Sequence, residues 1–294
     1  MFVDNNWYGH RSILAKFCKI KDTNAFASIQ HGMIGKLRRK QEKYLGIRKF
    51  SNHIPYLCWN INIKKKLDKK KIKNVAIIGA PFLYLDQIFK KKKFKERGTI
   101  VFPTKSTYEI NRNIDYNSLV NNVEKILPGP YTVSIYHADL NKDLSVFKKK
   151  GWKIISFGKR GSKNFLKKNY IEIKKNKNLV STSISSVFFY GIYLKKNIKF
   201  ISSYNKTVNT EYWNQDATRD YYKKKYPGIL NGRISNKKLY EISLEELGFY
   251  YLKTREEIME LMGWNSRIKK FIGKVFANLY DFKSYLEKEN LRND

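Results

Sequence analysis

Short apolar runs recur through the middle of the chain at helix-sized intervals: Asn74–Ile78 (NVAII), Thr99–Phe102 (TIVF), Tyr131–Tyr136 (YTVSIY), Trp152–Phe157 (WKIISF), Leu179–Ser183 and Ile198–Ser202 (IKFIS). Runs this short and β-branched predict strands buried on both faces, and the spacers predict helices, so the pattern is that of βα units around a mostly parallel sheet. Tyr116–Leu127 and Leu140–Lys150 are the crossover helices, the second closed by Gly151, because glycine readily takes the left-handed conformation that ends a helix. Upstream, AFASI (Ala25–Ile29) reads as a strand running into Gln30-His31-Gly32.

The last third changes character. Ser243 with Glu246 and Thr254 with Glu257 have the spacing of capping boxes, in which hydroxyl and carboxylate each satisfy a backbone N–H at a helix start. Asn265–Glu289 then aligns Ile268, Phe271, Ile272, Val275, Phe276 and Leu279 on one face of a long helix. That stripe is expected to pack across the sheet domains, the alternative being a helix lying in a membrane interface. The expected division is a reduced N-terminal lobe over 1–73, a Rossmann-like domain over 74–240 and C-terminal helices over 241–294.

Composition narrows the field. The 294 residues are 42% hydrophobic and 15% aromatic, which excludes a disordered chain. Lys and Arg total 60 against 25 Asp and Glu, a net charge of +35, so partners should be anionic. The excess is mostly Lys, with 48 Lys to 12 Arg, and it is Arg that reads phosphates and base edges with a bidentate fork. A specific nucleic-acid interface is therefore disfavoured, and part of the charge reflects AT-rich codons. Cys18 and Cys58 have no metal-ligand spacing and read as buried, reduced thiols. The start of the chain carries Asp4 and His10 where a secretory leader would be apolar, and the longest apolar stretches, Val75–Leu85 and Val187–Leu194, fall short of the ~20 residues that span a bilayer. A cytoplasmic protein is expected.

Ligands of parallel α/β sheets bind where strands end at their carboxyl edge. Those junctions hold His31, Gly79, Thr104, His137 with Asp139, the run FGKRGS (Gly158, Lys159, Arg160, Gly161, Ser162), and Ser181-Thr-Ser-Ile-Ser-Ser186. Gly158, Lys159 and Arg160 suit a phosphate, with a basic surface turn as the competing role. Ser183, Ser185 and Ser186 precede an apolar helix whose unpaired N–H groups attract anions, with simple N-capping as the competing role. His31 has a side chain suited to take a proton near neutrality, with Asp139 as the alternative base; His31 and His137 could equally be structural hydrogen-bonding residues. His10 and His53 read as structural, and no metal site is expected.

The order of these motifs resembles bacterial GT-B-type glycosyltransferases of surface polysaccharide synthesis, the group of sialyltransferases, polysialyltransferases, Kdo transferases and CDP-glycerol glycerophosphotransferases. SIQHG looks like the family's N-terminal histidine, NVAIIGAPFLYL like the strand and glycine loop opening its second domain, SIYHADL like its His-Pro motif and STSISSVFFYGIYL like its serine-capped helix. Here Ala138 follows His137 in place of proline. The resemblance covers about residues 25–202 and implies an α/β, Rossmann-like parallel sheet of GT-B type. It further implies a metal- and cofactor-independent transferase using a nucleotide-sugar donor, CMP-linked in the first instance, with a saccharide or lipid-linked acceptor at the anionic inner face of the cytoplasmic membrane. Two other readings stay open: a nucleic-acid-binding protein using the basic surface, and an inactive member of a polysaccharide assembly.

Overall fold

The computed structural model describes residues 6–34, 54–106, 111–201, 205–208 and 215–275. The basic stretch Lys36–Lys49, His53, and the predicted helix beyond residue 275 lie outside the described residues. Contacts divide the chain into two compact units, one drawing on residues 1–31, 37–89 and 247–294, the other on 32–36 and 90–246.

In the first unit three short strands, β1 (Ser28–Ile29), β2 (Tyr56–Cys58) and β3 (Val75–Ile77), pair in parallel in chain order. The run IPYLCW, which the apolar pattern leaves unassigned, supplies the central strand. β3 reads in the sequence as the first of one continuous train, and the structure corrects this: it pairs with β2. Apolar patterning marks a strand but carries no information on which sheet receives it.

Backbone crosses backbone at the end of β3. Gly79 and Gly248 both have positive φ, +74° and +71°; a Cβ on Gly79 would stand 2.9 Å from the Gly248 carbonyl oxygen, and one on Gly248 would collide with the Trp59 carbonyl. The Gly79 N–H donates to that Trp59 carbonyl at 3.1 Å and the Ala80 N–H to the Leu247 carbonyl at 2.8 Å. Tyr84 ties the same place together, its hydroxyl donating to the Ile78 carbonyl (2.6 Å) and accepting from the Lys253 N–H (3.0 Å).

The second unit holds a five-stranded sheet in the order β7-β6-β4-β8-β9, formed by β4 (Thr99–Phe102), β6 (Tyr131–Ser134), β7 (Lys153–Ile155), β8 (Asn178–Ser181) and β9 (Asn197–Phe200). Every pairing in it is parallel. Central β4 and β8 are buried throughout, whereas β9 at the sheet's end alternates between exposed and half-buried residues, as a strand paired on one side should. Helices 116–126, 145–149, 165–175 and 186–193 connect the strands. Val101, Val133 and Val180 meet Leu119, Val120, Val123, Phe147 and Trp152 in one apolar core. A separate antiparallel pair joins β5 (Asn111–Ile114) to β10 (Asn205–Val208), a feature the polar sequence NRNI does not announce.

Of the two predicted capping boxes only one forms. Thr254 accepts from the Glu257 N–H (3.2 Å), and Glu257 accepts from the Thr254 N–H (2.8 Å). Ser243 instead lies inside helix 236–247 with its hydroxyl on the Tyr240 carbonyl at 2.6 Å. Its partner Glu246 is buried and gripped by Lys225 and by the hydroxyls of Tyr222 (3.2 Å) and Tyr226 (2.8 Å). The S-x-x-E spacing also arises wherever a helix aligns residues on one face, which is why it failed there.

Residues 267–275 are helical. The expected packing of their apolar stripe is not seen in this stretch: Ile268 is 73% exposed and Phe271 68%. The helix is seated through Gly273, against the Ala25 backbone.

These contacts predict unequal glycine substitutions. Gly248→Ala meets both positive φ and the Trp59 carbonyl, and should cost on the order of 3 kcal/mol or more in urea unfolding. Gly151→Ala, at φ +68° with nothing within 4 Å of a Cβ, should cost only about 1 kcal/mol.

Candidate active site

In the five-stranded sheet the strand order reverses between β4 and β8, where chain connections depart in opposite directions and leave a crevice at the carboxyl edge. Thr104 and Thr182 close its floor. The Thr104 N–H donates to the Thr182 hydroxyl at 2.7 Å, the two hydroxyls lie 2.9 Å apart, and both residues are buried.

Around this floor the edge is cationic. Lys105, after β4, sits with its ammonium 4.6 Å from the Tyr136 ring centroid and 5.9 Å from that of Phe165, an arrangement that favours the charge electrostatically. His137 follows β6 in a short 3-10 turn, His137–Asp139, its ring 4.5 Å from that of Tyr136. Partial burial, then the positive charges of Lys159, Lys105 and Arg160, hold His137 below the ordinary imidazole range. The imidazole is thus the neutral member of a basic cluster, able to donate one N–H while its neighbours supply charge. Gly158, at φ +88°, gives the loop after β7 the turn that presents Lys159 and Arg160. Lys105 lies in the strand-end junction Pro103-Thr104-Lys105-Ser106 that the sequence marks, but the sequence reading gave it no role; its place beside His137 is visible only in the structure.

Asp139 faces inward. Its carboxylate accepts from the Ser106 N–H at 2.8 Å and pairs with Lys142 at 2.7 Å, while Lys142 also donates to the Ser106 hydroxyl at 2.9 Å. These contacts tie the loop after β4 to the loop after β6, which fixes Lys105 and His137 on one edge.

The serine run turns out to be divided in its duties. Ser181 donates to the Ser183 carbonyl (2.7 Å), Thr182 serves Thr104, and Ser186 accepts from the Met33 N–H at 3.1 Å, which fastens Met33 to the helix start. Ser185 is the N-cap residue of helix 186–193 but makes no side-chain capping bond, and both Ser183 and Ser185 are partly exposed at the helix N-terminus. Capping alone therefore does not account for them.

Two predicted residues belong to the first unit. Gly79 is engaged in the backbone crossing with Gly248, which explains a glycine there without a ligand. His31 follows β1, partly exposed, with its ring centroid 4.9 Å from that of Trp7. Beneath it lies buried His10, 6.1 Å from Trp59. Burial, with the nearby His31 charge, lowers the His10 pKa to about 3, against a hydrogen bond with the Gln30 backbone that raises it. Buried Gln30 supports the same edge, its side chain accepting from the Trp59 N–H (2.9 Å) and its carbonyl from the Trp59 indole (3.0 Å). Among the described residues no three His, Cys, Asp or Glu side chains gather as a metal-ligand set.

A histidine that must be neutral when folded and can protonate when unfolded makes stability rise with pH, because the unfolded chain binds the extra proton. For His10 the window runs from about 3 up to the ordinary value of 6.5. Urea unfolding should show the wild type losing about 2 kcal/mol more than His10→Gln between about pH 6.5 and 5; equal slopes would contradict the buried neutral state. By NMR titration His137 should ionise below 6.5, and Lys159→Gln combined with Arg160→Gln should raise its pKa.

No protein-family model and no curated protein matches this chain. Among solved structures the chain is similar to the crystal structure of TarM, with 13% sequence identity and a TM-score of 0.36, over 85% of this chain and 52% of that one. The chain thus spans about half the length of that protein, and a likeness at this level leaves function to the geometry of the site.

Proposed function

We propose that this protein is a glycosyltransferase that moves a sugar from a nucleotide-activated donor, CMP-linked in the first instance, to a saccharide or lipid-linked acceptor of surface polysaccharide. The observation that carries the reading is the gathering of Lys105, His137, Lys159 and Arg160 at the carboxyl edge of a parallel sheet, beside its switch point and with partly exposed Ser183 and Ser185 at a helix start. In glycosyl transfer the acceptor oxygen bonds to the anomeric carbon as the bond to the donor phosphate breaks, and the electron pair passes to the phosphate. Donors aimed at that phosphate are then the principal catalytic contribution. Lys159 and Arg160 supply charge, neutral His137 and the helix N-terminus supply N–H donors, and Thr104 shapes the floor. This assignment names no metal ion.

The acceptor hydroxyl must lose its proton. His31 takes it in this reading, being partly exposed and next to Trp7. Asp139 is the alternative, although its carboxylate is buried and engaged by Lys142 and Ser106. Gly79 is retained only as a backbone element.

Thermal shift against CMP, CDP, UDP, GDP and their sugar conjugates identifies the nucleotide, since a ligand of the folded state raises its melting temperature. Lys159→Gln with Arg160→Gln should weaken that nucleotide about 10- to 100-fold, at about 1.4 kcal/mol per decade; unchanged affinity would remove the site. His31→Ala should lower turnover about 10²- to 10⁴-fold with nucleotide affinity kept, and if Asp139→Ala does so instead, the base is Asp139.

A further inference from the structure

The parallel sheet has a second edge, and its chemistry is set by the same topology. In βα units each helix runs back against the strands, so its C-terminus delivers the chain to the amino end of the next strand. Helix 116–126 carries Lys125 in its last turn, helix 145–149 carries Lys148 and Lys149, and helix 165–175 carries Lys174 and Lys175. A cation at a helix C-terminus is favoured by the helix dipole, which explains each lysine locally. The topology then places all of these C-termini along one edge.

The chain between residues 90 and 97, KKKKFKER, is fastened to that edge. The Arg97 N–H donates to the Lys175 carbonyl (2.9 Å), the Lys177 N–H donates to the Gly98 carbonyl (3.2 Å), and Lys196 reaches the Lys174 carbonyl (3.1 Å). Of the acids near this edge, Glu96, Glu124 and Glu172 are each paired with a lysine, Lys196, Lys150 and Lys175 respectively, and exposed Asp143 lies within electrostatic reach of Lys148 and Lys149. Lys125, Lys148, Lys149 and Lys175 are exposed. The aromatic rings near it are engaged with one another, Phe94 edge-on to buried Tyr170 and partly buried Tyr131 stacked on buried Trp152.

We propose that this amino-edge face of the five-stranded sheet is a docking surface for an anionic lipid bilayer. A broad array of ammonium groups without stacking rings matches a plane of negative headgroups, whereas single-stranded nucleic acid is held by exposed aromatics in a basic groove. Docked this way, the second unit turns its carboxyl edge away from the bilayer, with strands of about 13 Å between the two edges. The candidate site then stays open to a soluble donor. The inference goes beyond the proposed function and rests on the fold, so it can fail or stand independently of glycosyl transfer.

Flotation of the whole protein with phosphatidylglycerol-containing vesicles tests it, with phosphatidylcholine vesicles as the neutral reference. Binding should require the anionic lipid and fall with added salt. Each lysine near the surface is worth about fivefold in affinity. The variant Lys148→Glu, Lys149→Glu, Lys174→Glu, Lys175→Glu should therefore lose more than 100-fold, at about fivefold per position. The variant Lys65→Glu, Lys69→Glu, Lys71→Glu, Lys73→Glu, with the same change in net charge, should lose less than tenfold. Equal losses would show that net charge alone acts and would overturn the face, as would retained binding in the first variant. Tighter retention of single-stranded DNA than of vesicles, abolished by the first variant, would replace the bilayer with a nucleic acid. Should the first variant melt early, the four Lys→Gln substitutions serve in its place with the same ranking expected.

Discussion

Parallel pairing of five strands is the constraint on which the second unit depends. Once β4, β6, β7, β8 and β9 run in one direction, every strand must discharge its loop at the same edge and every helix must return its C-terminus to the other. Residues far apart in the chain, Lys105, His137 and Lys159, become neighbours because three strands end together. Burial first, and then the positive charge of these neighbours, lowers the His137 pKa. Holding like charges in place costs free energy, and the ties that offset it are structural: Asp139 with Ser106 and Lys142 locks two of the loops, and the Thr104–Thr182 pair locks a third.

The first unit solves a different problem with a smaller sheet. Three strands of two or three residues make a small sheet, and the unit is held by buried side chains such as Leu14, Leu57, Trp59, Leu67 and Phe82 together with close backbone approach and hydrogen-bonded polar groups. The Gly79–Gly248 crossing brings residues 247–252 against the end of β3. Gln30 spends its side chain and its carbonyl on Trp59, which holds the loops after β1 and β2 together beneath His31. His10, neutral because it is buried, can stay there only as long as the pH does not force a proton on it.

Charge is divided along similar lines. Where the acids are buried or half-buried they serve the fold, Glu246 joining two helices through Lys225 and two tyrosines and Glu124 receiving the Trp152 indole at 3.0 Å. The lysines left at the surface give a chain of +35 two basic edges of different character. One is small, mixed with rings and a histidine, and suited to a phosphate. The other is broad and plain.

The sequence by itself determined the strands of the large sheet, because runs such as TIVF, YTVSIY and IKFIS are short, apolar, rich in β-branched residues and set at helix-sized intervals, and it determined the helix stop at Gly151 and the cap at Thr254. It also marked the strand-end loops holding His137, Lys159 and Arg160, since polar residues after a buried run have a local signature. What it could not determine was membership and company. Val75–Ile77 looks like its neighbours yet pairs in another sheet, and Ser243 and Glu246 imitate a cap inside a helix. Asp139 reads as an alternative base, and its engagement by Lys142 and Ser106 is not written in the sequence. Gly79 reads as part of a glycine loop, and that the Gly248 backbone lies across it is visible only in the structure. Those outcomes depend on contacts between residues distant in the chain, and local periodicity carries no record of them; only the tertiary structure, which decides who meets whom, could supply it.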